Sequence, residues 1–208
     1  MAGIVLLRSD PGGRRQPARL PRNHTLGMAF ALTAIGMLFT GLTSSYVVRQ
    51  GLGDDWSRIP MPRILLVNTA ILLAGSLTIE RARSELREGA RRSAGNWVLL
   101  TLALGVAFLS GQLVAWRLLA AQGFSLSANP HSSFFYVLTG LHGLHLAGGL
   151  LALGWTALLT WNNSPAFAGS GFASRPGRAG RWVDCSALYW HSMDALWVFL
   201  LVLLFVWG

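Results

Sequence analysis

The chain reads as an all-α protein, a polytopic membrane bundle of five transmembrane helices, on three observations. Of its 208 residues, 52% are hydrophobic and only 12% are charged, where an ordinary soluble domain carries about 25% charged residues. Apolar stretches long enough to cross a bilayer as helices recur five times, with basic residues between them on alternate sides. The chain also holds nine Trp and twenty-four Gly; Trp gathers at bilayer interfaces, and Gly is frequent in spanning helices.

A hydrocarbon core about 30 Å thick takes roughly 20 apolar residues in a helix. Residues 1–23 precede the first such stretch. Met1 to Leu7 is apolar but too short for a secretory h-region, and Arg8, Asp10, Pro11, Gly12, Gly13, Arg14 and Arg15 follow at once. A disordered cytoplasmic arm is expected there, not a cleaved signal. The five-helix transmembrane domain then occupies residues 24–208, with spans at about 25–48, 63–79, 97–119, 134–161 and 182–207. Pro60 and Pro62 suit the start of the second helix. The segment Asn162 to Gly180, rich in Gly, Ser, Pro and Arg, reads as a flexible cytoplasmic loop. No internal repeat and no separate soluble domain is visible.

The net charge of +9 sets eight acidic residues against seventeen basic ones, all of them arginine. Their placement follows topology, not a nucleic-acid groove, so no nucleic-acid partner is expected. Arg8, Arg14, Arg15, Arg19 and Arg22 precede the first span; Arg81, Arg83, Arg87, Arg91 and Arg92 follow the second; Arg175, Arg178 and Arg181 follow the fourth. The opposite side has Arg49, Arg58, Arg63 and Arg117, with Asp54 and Asp55 among them. Thirteen against four puts the N-terminus in the cytoplasm and Gly208 outside. Cys185 is the sole cysteine, so neither an internal disulfide nor a cysteine metal cluster is available.

Ionisable groups at membrane depth are costly and are usually paired or functional. Here they concentrate in the last two spans. His142 and His145, three residues apart, lie about 60° from each other around their helix. The same helix carries Gly140, Gly143, Ala147 and Gly154, a small-residue stripe that would let a neighbouring backbone approach closely. Asp184, His191 and Asp194 share one face of the last helix, and Asp194 lies about 18 Å along it from Trp182.

Two histidines facing one another could ligate a haem b, and His142, His145, His191 and an Asp could hold zinc or copper. The plainer reading is that these groups hydrogen-bond within the bundle. On that reading Asp194 pairs with His142 or His145 across the helices, or with His191 on its own helix. No hydrolase, phosphate-loop or nucleophile–base pattern is present, and no catalytic, cofactor or metal-binding residue is assigned. An independent b-type membrane cytochrome is one alternative class. A small transporter is another, but it lacks the paired repeats and matching broken helices of that class.

The run Phe134-Phe135-Tyr136-Val137-Leu138-Thr139-Gly140-Leu141-His142-Gly143-Leu144-His145 resembles the FF-x-x-TG-F-HG-LH motif of haem-copper (cytochrome c) oxidase subunit III. Tyr189-Trp190-His191-Ser192-Met193-Asp194-Ala195-Leu196-Trp197-Val198-Phe199-Leu200 is similar to the family's YWHFVD-x-x-W-x-FL helix. Phe205-Val206-Trp207-Gly208 is similar to its terminal aromatic-Trp-Gly. Leu38-Phe39-Thr40-Gly41-Leu42, followed by Tyr46, resembles FF-x-GL-x-x-A-Y. The chain resembles the short, five-helix bacterial form, which lacks the first two helices of the long form.

The resemblance implies a non-catalytic core subunit III of a respiratory oxidase in a bacterial inner membrane. It carries no cofactor itself, and haem and copper are expected in partner subunits. It would pack beside subunit I, hold membrane lipid, and support proton uptake and the stability of the catalytic subunit in aerobic electron transport. An accessory subunit of a nitric oxide reductase or a quinol oxidase is the related alternative. Two positions depart from the pattern. Ile35 stands where the family often has a buried Glu, and Asp184 replaces the Glu seven residues before the histidine of the last motif. The missing first helices also remove one wall of the family's lipid cleft.

Overall fold

The computed structural model describes residues 23–52, 56–57, 59–161 and 178–207. Residues 1–22 of the expected arm and most of the expected loop between the fourth and fifth helices lie outside the described residues, as do Asp54, Asp55 and Arg58; Asn23, the last residue of that arm, begins the first helix. The described residues form five α-helices: α1 (Asn23–Leu52), α2 (Ile64–Arg87), α3 (Arg91–Ala121), α4 (Pro130–Trp161) and α5 (Arg178–Trp207). All five are long and apolar enough to cross a membrane. Each continues past the apolar stretch that marks it in the sequence. The longest extension at one end is that of α2, which runs on from Ile79 through Glu80, Arg81 and Arg83 to Arg87.

The helix ends follow local chemistry. Gly89 and Gly123 hold positive φ angles of 86° and 87° just past α2 and α3. In both turns the next residue's N–H reaches back five positions, Ala90 to the Glu85 carbonyl and Phe124 to that of Leu119. This is the Schellman closure, and it favours glycine because the left-handed conformation crowds a Cβ. At the start of α4 the Asn129 side-chain oxygen accepts the Ser132 N–H at 2.8 Å, an N-cap followed by Pro130 at the first helical position.

Helices α2, α3, α4 and α5 close a four-membered ring, α2 on α3, α3 on α4, α4 on α5 and α5 on α2. Helix α1 leans on the outside of that ring against α4 and α5. Among its described side chains Phe39, Thr43 and Tyr46 are buried, whereas Phe30, Met37 and Leu52 are exposed. The core is apolar and aromatic, with Trp190, Trp197, Tyr46, Phe39, Phe108 and Phe135 as its largest buried side chains. Between α1 and the α4–α5 pair lies a cavity of about 410 Å³, lined by Met28, Ala31, Gly149, Leu153, Cys185 and Tyr189 among others.

Candidate functional site

The polar groups of α5 turn toward α2. Asp184 lies near the start of α5 and accepts from Arg83 Nε at 2.8 Å, with Arg87 Nη2 at 3.9 Å. Arg83 also donates through Nη1 to Glu80 Oε1 at 2.7 Å. The same Glu80 oxygen meets His191 Nε2 at 2.7 Å. On its other side His191 Nδ1 lies 3.0 Å from Ser76 Oγ, and Ser76 Oγ is hydrogen-bonded to Asp194 Oδ2. The chain Arg83–Glu80–His191–Ser76–Asp194 therefore descends from an exposed rim to a buried carboxyl. Side-chain exposure is 47% at Glu80 and 39% at His191, while Asp194 is buried.

The structure corrects the expected partner of Asp194. Neither His142 nor His145 bonds to it; Ser76 of α2 does, and His191 joins through that serine. The 60° between the two α4 histidines separates their surroundings. His142 is fully buried, edge-on to Phe108 at 5.9 Å and tilted against Trp197 at 5.1 Å. His145 meets the ring of Phe39 on α1 at 5.9 Å and bonds through Nδ1 to its own Leu141 carbonyl at 2.8 Å. His142 and His191 do not form a facing pair: one is walled by aromatic rings, and both nitrogens of the other are engaged by α2. Among the described residues no group of three or more His, Cys, Asp and Glu side chains is arranged to hold a metal ion.

The glycine stripe of α4 meets side chains, not a neighbouring backbone. The Trp116 ring lies 3.3 Å from a Cβ built on Gly140, Leu109 lies 3.6 Å from one on Gly143, and nothing lies within 4 Å at Gly154. Ala147, the remaining small residue of the stripe, is partly buried. The Trp116 indole N–H donates to Thr139 Oγ1 at 3.1 Å, so Thr139-Gly140 forms one receptor for one tryptophan. Other glycines receive larger intrusions. Trp190 of α5 enters a slot between Gly75 of α2 and Gly105 of α3, and the Asn68 side chain presses on Gly111. Tyr189 lies over Gly149 and donates its hydroxyl to the His145 carbonyl at 2.8 Å. Trp197 donates its indole N–H to Thr69 Oγ1 at 2.9 Å.

Sequence reasoning missed Ser76, Glu80 and Arg83, which complete the α5 network from α2. Their spacing of four and three places them on one helix face, but they straddle the end of the apolar run. It also missed Asn68 and Gln112, buried amides in the second and third spans.

The model of one protein family, described as cytochrome c oxidase subunit III, matches residues 25–208. A cytochrome c oxidase subunit 3 of Synechocystis is 30% identical over 89% of this chain and 76% of its own length. One of Thermostichus vulcanus is 30% identical over 89% and 88% respectively. A cytochrome bo(3) ubiquinol oxidase subunit 3 of Pseudomonas aeruginosa is 32% identical over 89% of this chain and 86% of that protein. With motif-bearing helices that cross-link by aromatic and polar contacts, and a family match covering all five helices, the chain belongs to the cytochrome c oxidase subunit III family.

Proposed function

We propose that this chain is the non-catalytic subunit III of a haem-copper respiratory oxidase, seated beside the haem-bearing subunit I in a bacterial inner membrane. In this reading it stabilises subunit I and supports its proton uptake during aerobic electron transport. The family match across residues 25–208 carries the proposal. The architecture supports it. The motif residues of α4 and α5 are spent on helix–helix contacts, while the outer faces of α1, α2 and α5 keep large apolar side chains such as Phe30, Leu77 and Phe199 exposed. Such faces suit lipid and neighbouring transmembrane helices. Membrane lipid fits the cavity beside α1, whose lining is apolar at Met28, Ala31 and Leu153.

The arginine distribution supports a cytoplasmic N-terminus, with residues 1–23 as a cytoplasmic arm before the five-helix domain at 24–208. The electron donor of the complex is open to a second reading. The relative named as a ubiquinol oxidase subunit is 32% identical, against 30% for the two relatives named as cytochrome c oxidase subunits. Mild-detergent purification of the tagged chain from its native membrane tests both. A haem-bearing many-helix partner should co-purify, and its reduction by cytochrome c or by quinol assigns the donor. Recovery of the chain alone as a monodisperse monomer would reject the proposal.

A further inference from the structure

The hydrogen atoms of the Glu80–His191–Ser76–Asp194 chain can be counted from its geometry. Arg83 holds Glu80 Oε1 at 2.7 Å, which makes that oxygen an acceptor, so His191 Nε2 facing it at 2.7 Å carries a hydrogen. Ser76 has one hydroxyl hydrogen, yet its oxygen contacts both His191 Nδ1 and Asp194 Oδ2. Two arrangements satisfy every contact. In one, Nδ1 is also protonated and donates to Ser76, which donates to the Asp194 carboxylate. In the other, Asp194 is a protonated acid that donates to Ser76, which donates to the bare Nδ1 of a neutral His191. Both contain the same number of hydrogens. With Asp194 ionised and His191 neutral, one serine hydrogen would face two acceptors and one contact would be lost.

We propose that His191, Ser76 and Asp194 form a store for one exchangeable proton, loaded from the rim at His191 and closed at its inner end. Transfer inward moves the proton on His191 Nδ1 to Ser76 Oγ as the serine hydrogen passes to Asp194 Oδ2, so charge and hydrogens balance. The other charged groups facing this network are Glu80 and Arg83 of α2 and, through Arg83, Asp184 with Arg87. From α4, His142 turns to Phe108 and Trp197, and His145 turns to Phe39. At the inner end the polar group beside Asp194, one turn back on α5, is the Trp190 indole N–H. An indole nitrogen donates but does not accept, so the proton returns by the way it came. The network is a reservoir and not a conduit across the membrane.

Infrared difference spectroscopy of the intact complex across a pH titration tests this. One carboxyl C=O band should appear and vanish in a single step linked to the imidazole signals of His191, and Asp194→Asn should abolish it. Ser76→Ala should split the step into separate carboxyl and imidazole titrations, and Ser76→Thr, which keeps the hydroxyl, should restore the single step. A band that survives Asp194→Asn, or a titration unchanged by Ser76→Ala, would overturn the proposal. If Asp194→Asn fails to assemble, the Ser76 pair still decides it.

Discussion

The Trp190 indole occupies the space that a side chain on Gly75 would need: a Cβ there would lie 2.7 Å from ring carbon Cζ2. On its far side the same ring sits 2.9 Å from the Cβ position of Gly105. One tryptophan of α5 thus keys into α2 and α3 at once, and it does so only because both helices lack a side chain at the contact.

Gly75→Ala should therefore cost about 1–3 kcal/mol, the usual range for overpacking against a rigid neighbour. Gly154→Ala should change stability by less than about 0.5 kcal/mol, because nothing lies within 4 Å of its Cβ position. Thermal unfolding of the purified complex, followed by loss of this subunit, measures both. Equal effects at the two sites would refute the slot.

The proposed cytoplasmic N-terminus rests on arginine placement. On a Cys185→Ser background, a membrane-impermeant thiol reagent added outside should label a cysteine at Gly53 and miss one at Gly169. The reverse pattern would invert the topology.

The histidines should prove silent in haem spectra. His142 is enclosed by the Phe108 and Trp197 rings, and both nitrogens of His191 are taken by Ser76 and Glu80, so these two form no axial pair for a haem iron. The chain expressed alone should show no Soret band, and His142→Phe and His191→Gln should leave the haem content of the complex unchanged. Loss of one haem equivalent in either variant would instead favour a b-type cytochrome.

The helices were legible because apolar runs and charge punctuation report directly on the bilayer, a one-dimensional constraint. The α5 side of the polar network was legible for a related reason: Asp184, His191 and Asp194 repeat at helical spacing in an apolar background. What the sequence could not reveal was which neighbour each face meets. Helix α4 precedes α5 in the chain and carries its histidines at a similar depth, which makes His142 or His145 the partner that the sequence suggests for Asp194. Ring closure of α2 onto α5 puts Ser76 there instead, with Trp190 packed at Gly75 and Gly105. Rotation by 60° then separated His142 from His145, a difference that no spacing rule resolves without knowing where α1 and α3 stand.

The Asp194–Ser76 contact makes a last prediction about assembly. A carboxyl near the bilayer centre costs about 2.5–3.5 kcal/mol on insertion scales when it lacks partners, and here Ser76 is the group bonded to it across helices. Ser76→Ala should destabilise the α2–α5 pair by about 1–3 kcal/mol, since it strands a buried acceptor. Adding Asp194→Asn should cost less than the sum of the two single changes, because each already removes the same bond. Combining Asp194→Asn with His142→Phe should be additive within about 0.5 kcal/mol, as expected for sites that share no partner. Subunit retention in graded detergent gives all three numbers. Strong coupling to His142 with none to Ser76 would restore the cross-helix histidine pair and refute the contact described here.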